Sequence, residues 1–147
     1  VKVSKKLLDM LVHHEGLRLK PYKCPAGLWT IGVGHLIGDG KTLPPEYNRT
    51  FTKDECYAIL AKDVERFERG VTRFVPVKLS QGEFDALVSF SFNLGLGTLQ
   101  RSTLRQALLR GDKISAVQSL LKYNKAGGKV LKGLDNRRKD EAALFNS

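Results

Sequence analysis

Between His14 and His35 the helical patterning of the chain breaks off, and that interruption limits the fold more than any other feature. Before it, Leu7, Leu8, Leu11 and Val12 recur at helical spacing behind a capping residue, Ser4, and the segment ends near Glu15-Gly16. After it, from Leu17 to Leu36, alternating and β-branched residues predict a small antiparallel sheet, broken by Gly27, Gly32, Gly34 and the Gly38-Asp39-Gly40 turn. A helix ending on a carboxylate therefore faces directly into a short sheet whose turn carries polar side chains, Cys24 and Thr30 among them.

The remainder reads as helix. Lys41 to Arg49 is a polar loop around Pro44-Pro45, and Thr52-x-x-Glu55 is then a capping box. Cys56, Ile59, Leu60, Val64, Phe67 and Val71 follow at helical spacing, which predicts a helix of about five turns, long enough to bridge two lobes. Ser80-x-x-Glu83 repeats the device before Phe84, Leu87, Val88, Ser91 and Phe92. Further helices are predicted over Ser102 to Leu109, Asp112 to Tyr123 and Leu134 to Phe145, with no internal repeat.

A chain of 147 residues fits one compact unit and buries enough surface to fold without metals or staples. Cys24 and Cys56 are too few for a disulfide framework and lack zinc or redox spacing, so both are expected as free thiols. No apolar run approaches the roughly 20 residues of a membrane span, so no stable membrane insertion is expected. The start at Val1 without Met leaves a removed initiator, tag or leader open. A net charge of +10 calls for an acidic partner, and by itself fits nucleic acid, an anionic membrane surface, an anionic polymer such as a bacterial wall, or a merely solvated basic surface.

Within the interrupted stretch, Glu15, Gly16, Leu19, Tyr22, Gly27, Thr30, Ile31, Gly32, Gly34 and His35 agree in type and spacing with the signature of the phage-type lysozymes, or endolysins. That signature is a Glu, an Asp or Cys nine positions on, and a Thr six further, here Glu15, Cys24 and Thr30. The resemblance continues through Thr52-Lys53-Asp54-Glu55, Leu60 and Asp63, then Phe92-Asn93-Leu94-Gly95, Ser102-Thr103-Leu104 and Gly111-Asp112, to Gly127-Gly128-Lys129, Gly133-Leu134 and Arg137-Arg138. It implies an α+β, mainly helical, lysozyme-like fold in a single domain. A small β-hairpin lobe (about 15–52) would be joined by a long helix (about 53–72) to a helical lobe (about 73–147 plus the N-terminal helix). The glycan cleft would lie between the lobes.

The chemistry implied is glycoside hydrolysis. A general acid must protonate the departing sugar oxygen, and Glu15 is the candidate. At a helix C-terminus the dipole disfavours a negative charge, and partial burial would add to that. An inverting hydrolase also needs a group about 6.5–9.5 Å away to activate water on the opposite sugar face. The commoner family pattern puts a carboxylate there, and this chain has Cys24. A thiol of pKa about 8.5 is a weak base at neutral pH unless depressed, and Lys20 and Lys23 are near in sequence. Cys24 with Thr30 could position water by hydrogen bonding, or Cys24 could act as a nucleophile.

By resemblance, His35 and Asp63 form a structural ion pair between the small lobe and the long helix, Asn93 hydrogen-bonds the glycan, and Arg137 or Arg138 reaches the carboxylate of Glu15. Tyr22 and Trp29 either stack on sugar rings or cover the small lobe. His13 and His14 are adjacent, so they should face different sides of the helix, and neither a metal nor a cofactor is expected. The expected function is an endolysin that cuts the β-1,4 bond between N-acetylmuramic acid and N-acetylglucosamine in peptidoglycan. It would act as a monomer, without nucleic acid, held in the host cytoplasm until the membrane is permeabilised and then reaching the periplasm and wall. Two alternatives stand beside it: a lytic transglycosylase, which needs a single acid, and a non-catalytic wall-binding module.

Overall fold

The computed structural model describes residues 1–147. They form two compact units, Leu8–Glu65 and Val1–Leu7 with Arg66–Ser147. No helix is long and apolar enough to cross a membrane.

The first unit holds the predicted sheet. Helix α1 (Lys5–Glu15) begins where Ser4 Oγ accepts from the Leu7 amide at 3.2 Å, and the chain leaves it at Gly16, whose amide donates to Val12 O at 2.9 Å. Strands β1 (Arg18–Lys23), β2 (Trp29–Gly32) and β3 (His35–Leu36) form an antiparallel sheet in that order. Tyr22 pairs with Thr30 and Lys23 with Trp29, while a bulge separates Tyr22 from Arg18. Because successive side chains alternate between faces, Trp29 and Ile31 share one face and Thr30 takes the other with its partner Tyr22. The first face packs inward: Ile31, Ile37, Phe51 and Cys56 form a buried cluster, covered by Leu17, Trp29, Leu43, Tyr47 and Ile59.

Helix α2 (Lys53–Phe74) starts at the expected capping box. The Thr52 amide donates to Glu55 Oε1 at 2.9 Å and the Glu55 amide to Thr52 Oγ1 at 3.1 Å. It runs for 22 residues to Phe74, two residues past the predicted end near 72.

In the second unit, α3 (Gln81–Leu94) opens on the capping box of Ser80 and Glu83 and is buried along most of its length. It packs against α7 (Lys132–Phe145), and α5 (Thr103–Leu109) packs against α6 (Lys113–Leu121). Both helices open on capping side chains: Ser102 Oγ accepts from the Arg105 amide, and Asp112 from that of Ser115. Phe84, Leu87, Val88, Phe90, Leu99, Leu104, Leu120 and Phe145 fill this core.

Four further elements depart from the sequence reading. A short helix, α4 (Leu96–Arg101), fills what reads as a connection. Strands β4 (Lys125–Ala126) and β5 (Lys129–Val130) form a hairpin around Gly127-Gly128, whose φ angles of 58° and 79° suit a tight turn that residues with side chains adopt poorly. Helix α7 starts at Lys132, before the predicted Leu134.

Candidate active site

Seven of the residues singled out from the sequence, Glu15, Tyr22, Cys24, Trp29, Thr30, His35 and Asp63, belong to the unit Leu8–Glu65; Asn93, Arg137 and Arg138 belong to the other. Glu15 is the last residue of α1, as expected, but it is exposed; the partial burial expected for it is not found.

Cys24 sits in the turn that follows β1. Its amide donates to Leu28 O at 2.9 Å, and its own carbonyl accepts from the Gly27 amide at 2.7 Å, so the turn is pinned on both sides. The thiol is free and half-buried. Hydrogen bonding to the Leu28 backbone, opposed by desolvation and aided by the Ala26 backbone and the Thr30 side chain, holds Cys24 below the ordinary thiol range. Lys20 and Lys23, the expected cause, are not what lowers it. Thr30 is buried, at 4% exposure, and its hydroxyl donates to Leu28 O at 2.9 Å. Leu28 therefore links the two side chains through both its backbone groups.

Tyr22 is half-buried with the Arg18 guanidinium over its ring at 4.7 Å. Trp29 lies against the apolar cluster, with the Lys23 ammonium 5.4 Å from its ring centre. His35 Nδ1 donates to Asp63 Oδ2 at 2.8 Å, joining β3 to α2. The His13 and His14 rings meet edge to face at 5.0 Å, so adjacency in the sequence does not separate them as expected.

The chain matches the description "Phage lysozyme" over residues 12–141. It belongs to the phage lysozyme family. Among its relatives, the endolysin of Bacillus phage B103 is 39% identical over 147 residues, covering 99% of this chain and 54% of that protein. The SAR-endolysin of Haemophilus phage HP1 (strain HP1c1) is 36% identical over 155 residues, covering 97% of this chain and 80% of that one. The chain spans about half the length of the Bacillus phage relatives it matches. A crystal structure of a P22 lysozyme mutant superposes with a TM-score of 0.89 at 32% identity, covering 100% of this chain and 99% of that one.

Sequence reasoning missed a buried polar group in the helical unit. Ser89, Arg137, Arg138 and Glu141 are all at most 4% exposed, and Glu141 accepts from the first three. Arg138 also donates to the side-chain oxygen of Asn93 at 2.8 Å and to Tyr123 O at 3.3 Å. The available signal was Glu141 standing three and four residues beyond two arginines on a helix whose neighbours, Ala142, Leu144 and Phe145, are buried.

Proposed function

We propose that this protein is a muramidase that hydrolyses the β-1,4 bond between N-acetylmuramic acid and N-acetylglucosamine in bacterial peptidoglycan. Glu15 gives its proton to the glycosidic oxygen as the bond to the anomeric carbon breaks. A water held by Cys24 and Thr30 attacks that carbon from the opposite face, so the configuration inverts. One water proton passes to the Cys24 thiolate or to solvent, and Glu15 regains its proton from solvent. No covalent intermediate is needed.

The observation that carries this reading is the turn from Cys24 to Thr30. The Thr30 hydroxyl hydrogen-bonds Leu28 O beside the Cys24 thiol, and in that orientation its oxygen can accept from a water. Beside it stands a thiol whose ionised form is favoured by the same turn. A site that accepts protons from water on one side, with a carboxylic acid at a helix end in the same unit, supports hydrolysis over simple wall binding.

The net charge of +10 draws the protein to the anionic wall. It acts as a monomer, since every proposed catalytic group comes from one chain. The host cytoplasm holds it until the membrane opens, and it then acts on the wall.

Glu15→Gln tests the assignment directly. On purified peptidoglycan the variant should release no soluble fragments while melting as the wild type does; substantial remaining activity would remove Glu15 from the role of acid. A lytic transglycosylase remains the second reading because position 24 carries no carboxylate. Its products would differ from those of hydrolysis by one water.

A further inference from the structure

The chemistry proposed above makes no use of the second hairpin, β4–β5, where the helical unit gathers positive charge. No Asp or Glu occurs from Lys113 to Leu134, and Lys122, Lys125, Lys129 and Lys132 all fall in that stretch. All four are exposed, and none forms an ion pair. The first carboxylate after them, Asp135, is already engaged: the Lys139 ammonium lies 2.8 Å from one of its oxygens, and the Asn124 amide donates to the other at 3.0 Å.

The hairpin is held at its base and bare along its length. The Leu131 amide donates to Asn124 O at 3.0 Å, Arg138 Nη1 donates to Tyr123 O at 3.3 Å, and the Tyr123 ring meets Phe90 edge to face at 5.0 Å. Yet every residue from Lys125 to Gly133 is exposed, so neither face of the two-stranded ribbon is covered. Lys125 pairs with Val130 and Ala126 with Lys129, so each face carries a lysine and Lys125 shares its face with Val130. Two of the bare residues are large and apolar, Val130 at 56% exposure and Leu131 at 46%. Leu131 is also the N-cap of α7 and gives that helix no side-chain hydrogen bond. Ser, Asn or Asp there would stabilise the helix, so an exposed leucine at this position is a local cost that folding does not explain.

We propose that this hairpin docks on the surface of an anionic phospholipid bilayer, with its lysines against the phosphates and Val130 and Leu131 at the boundary between headgroups and acyl chains. Charge complementarity alone suits any polyanion, and the two apolar side chains decide for lipid. A soluble phosphate polymer gives Val130 and Leu131 nothing to enter, whereas a bilayer boundary gains from burying them. The contact lies on the membrane and does not cross it. It does not depend on the glycan chemistry proposed above.

The test is co-sedimentation of the full chain with vesicles of phosphatidylcholine, and with vesicles in which about a third of the lipid is phosphatidylglycerol. The protein should bind the second and not the first. Lys129→Ser with Lys132→Ser should weaken that binding about 25-fold, at about fivefold for each lysine lost from the contact. Lys41→Ser with Lys62→Ser removes the same charge from exposed positions outside the hairpin and should weaken it by no more than about twofold. Val130→Ser should weaken it about fivefold with Tm unchanged. Leu131→Ser should weaken it to a similar extent and raise Tm by about 2–4 °C, because serine caps α7.

The proposal is overturned if neutral vesicles bind as well, if the Lys41 and Lys62 pair costs as much as the hairpin pair, or if both serine replacements of the apolar residues leave vesicle binding unchanged. In the last case, full competition by soluble inorganic polyphosphate would assign the hairpin to a polyanion instead of a membrane. Purified peptidoglycan contains no lipid, so its digestion judges the muramidase reading separately.

Discussion

At the scale of single residues, position 24 separates the possible roles of its side chain. The Cys24 thiol stands in a turn whose amides favour its ionised form, next to an oxygen of Thr30 that is left to accept. If the pair only places and activates a water, sulfur is not required. Cys24→Asp puts a carboxylate that is ionised at neutral pH in the same turn, and wall lysis, followed by loss of turbidity, should be kept or raised. Complete loss would mean that the thiol itself takes part. These residues were legible in the sequence because Glu15, Cys24 and Thr30 fall within one short stretch whose glycines and strand pattern fix their surroundings locally. Asn93 and Arg138 were singled out too, but their meeting with Glu141 was not legible, because it depends on two helices far apart in the chain, and a Glu near a helix end reads as surface charge until its burial is known.

At the scale of elements, both capping boxes were visible as Thr-x-x-Glu and Ser-x-x-Glu, and both close as read. The first carries a further partner. Arg49 donates to both oxygens of Glu55, at 3.2 and 2.7 Å, and this guanidinium, followed by the Thr52 amide, lowers the Glu55 carboxyl from 4.5 to about 2. The folded value lies below the ordinary one, so the contribution is present above pH 4.5 and is lost as pH falls to about 2. Glu55→Gln should therefore lower Tm near neutral pH by a small amount, both groups being exposed, with the gap to wild type closing toward pH 2. A gap that stays constant over this range would show that the pair contributes nothing through charge.

The packing of α3 on α7 makes a sterner demand at Gly82, where an added Cβ would lie 2.2 Å from Leu144 O and 2.5 Å from Ser147 Oγ. The serine can turn away and the Leu144 backbone cannot. Gly82→Ala should cost about 1–3 kcal/mol through overpacking, despite the better helix propensity of alanine. Thermal unfolding reads this, and an unchanged Tm would mean that the two helices separate at no cost. The short elements were the ones sequence periodicity could not see. The α4 helix has six residues and each strand of the second hairpin has two, too few for a repeating pattern to register.

At the scale of the whole molecule, charge alone left the partner open, and the choice among polyanions came from the stretch around Glu15 and from the family to which the chain belongs. Under the proposed function, the same strong positive charge would make binding to an anionic wall sensitive to ionic strength, because salt screens exposed charges beyond about 8–10 Å. The central claim is narrower than wall binding: water, placed at Cys24 and Thr30, is what attacks the sugar. Mass spectrometry of the soluble products from purified peptidoglycan tests it most directly. The account predicts fragments with hydrated reducing ends at muramic acid. Fragments lighter by one water, the 1,6-anhydro form, would contradict it, making the muramoyl hydroxyl the attacking group and leaving Cys24 and Thr30 no water to hold.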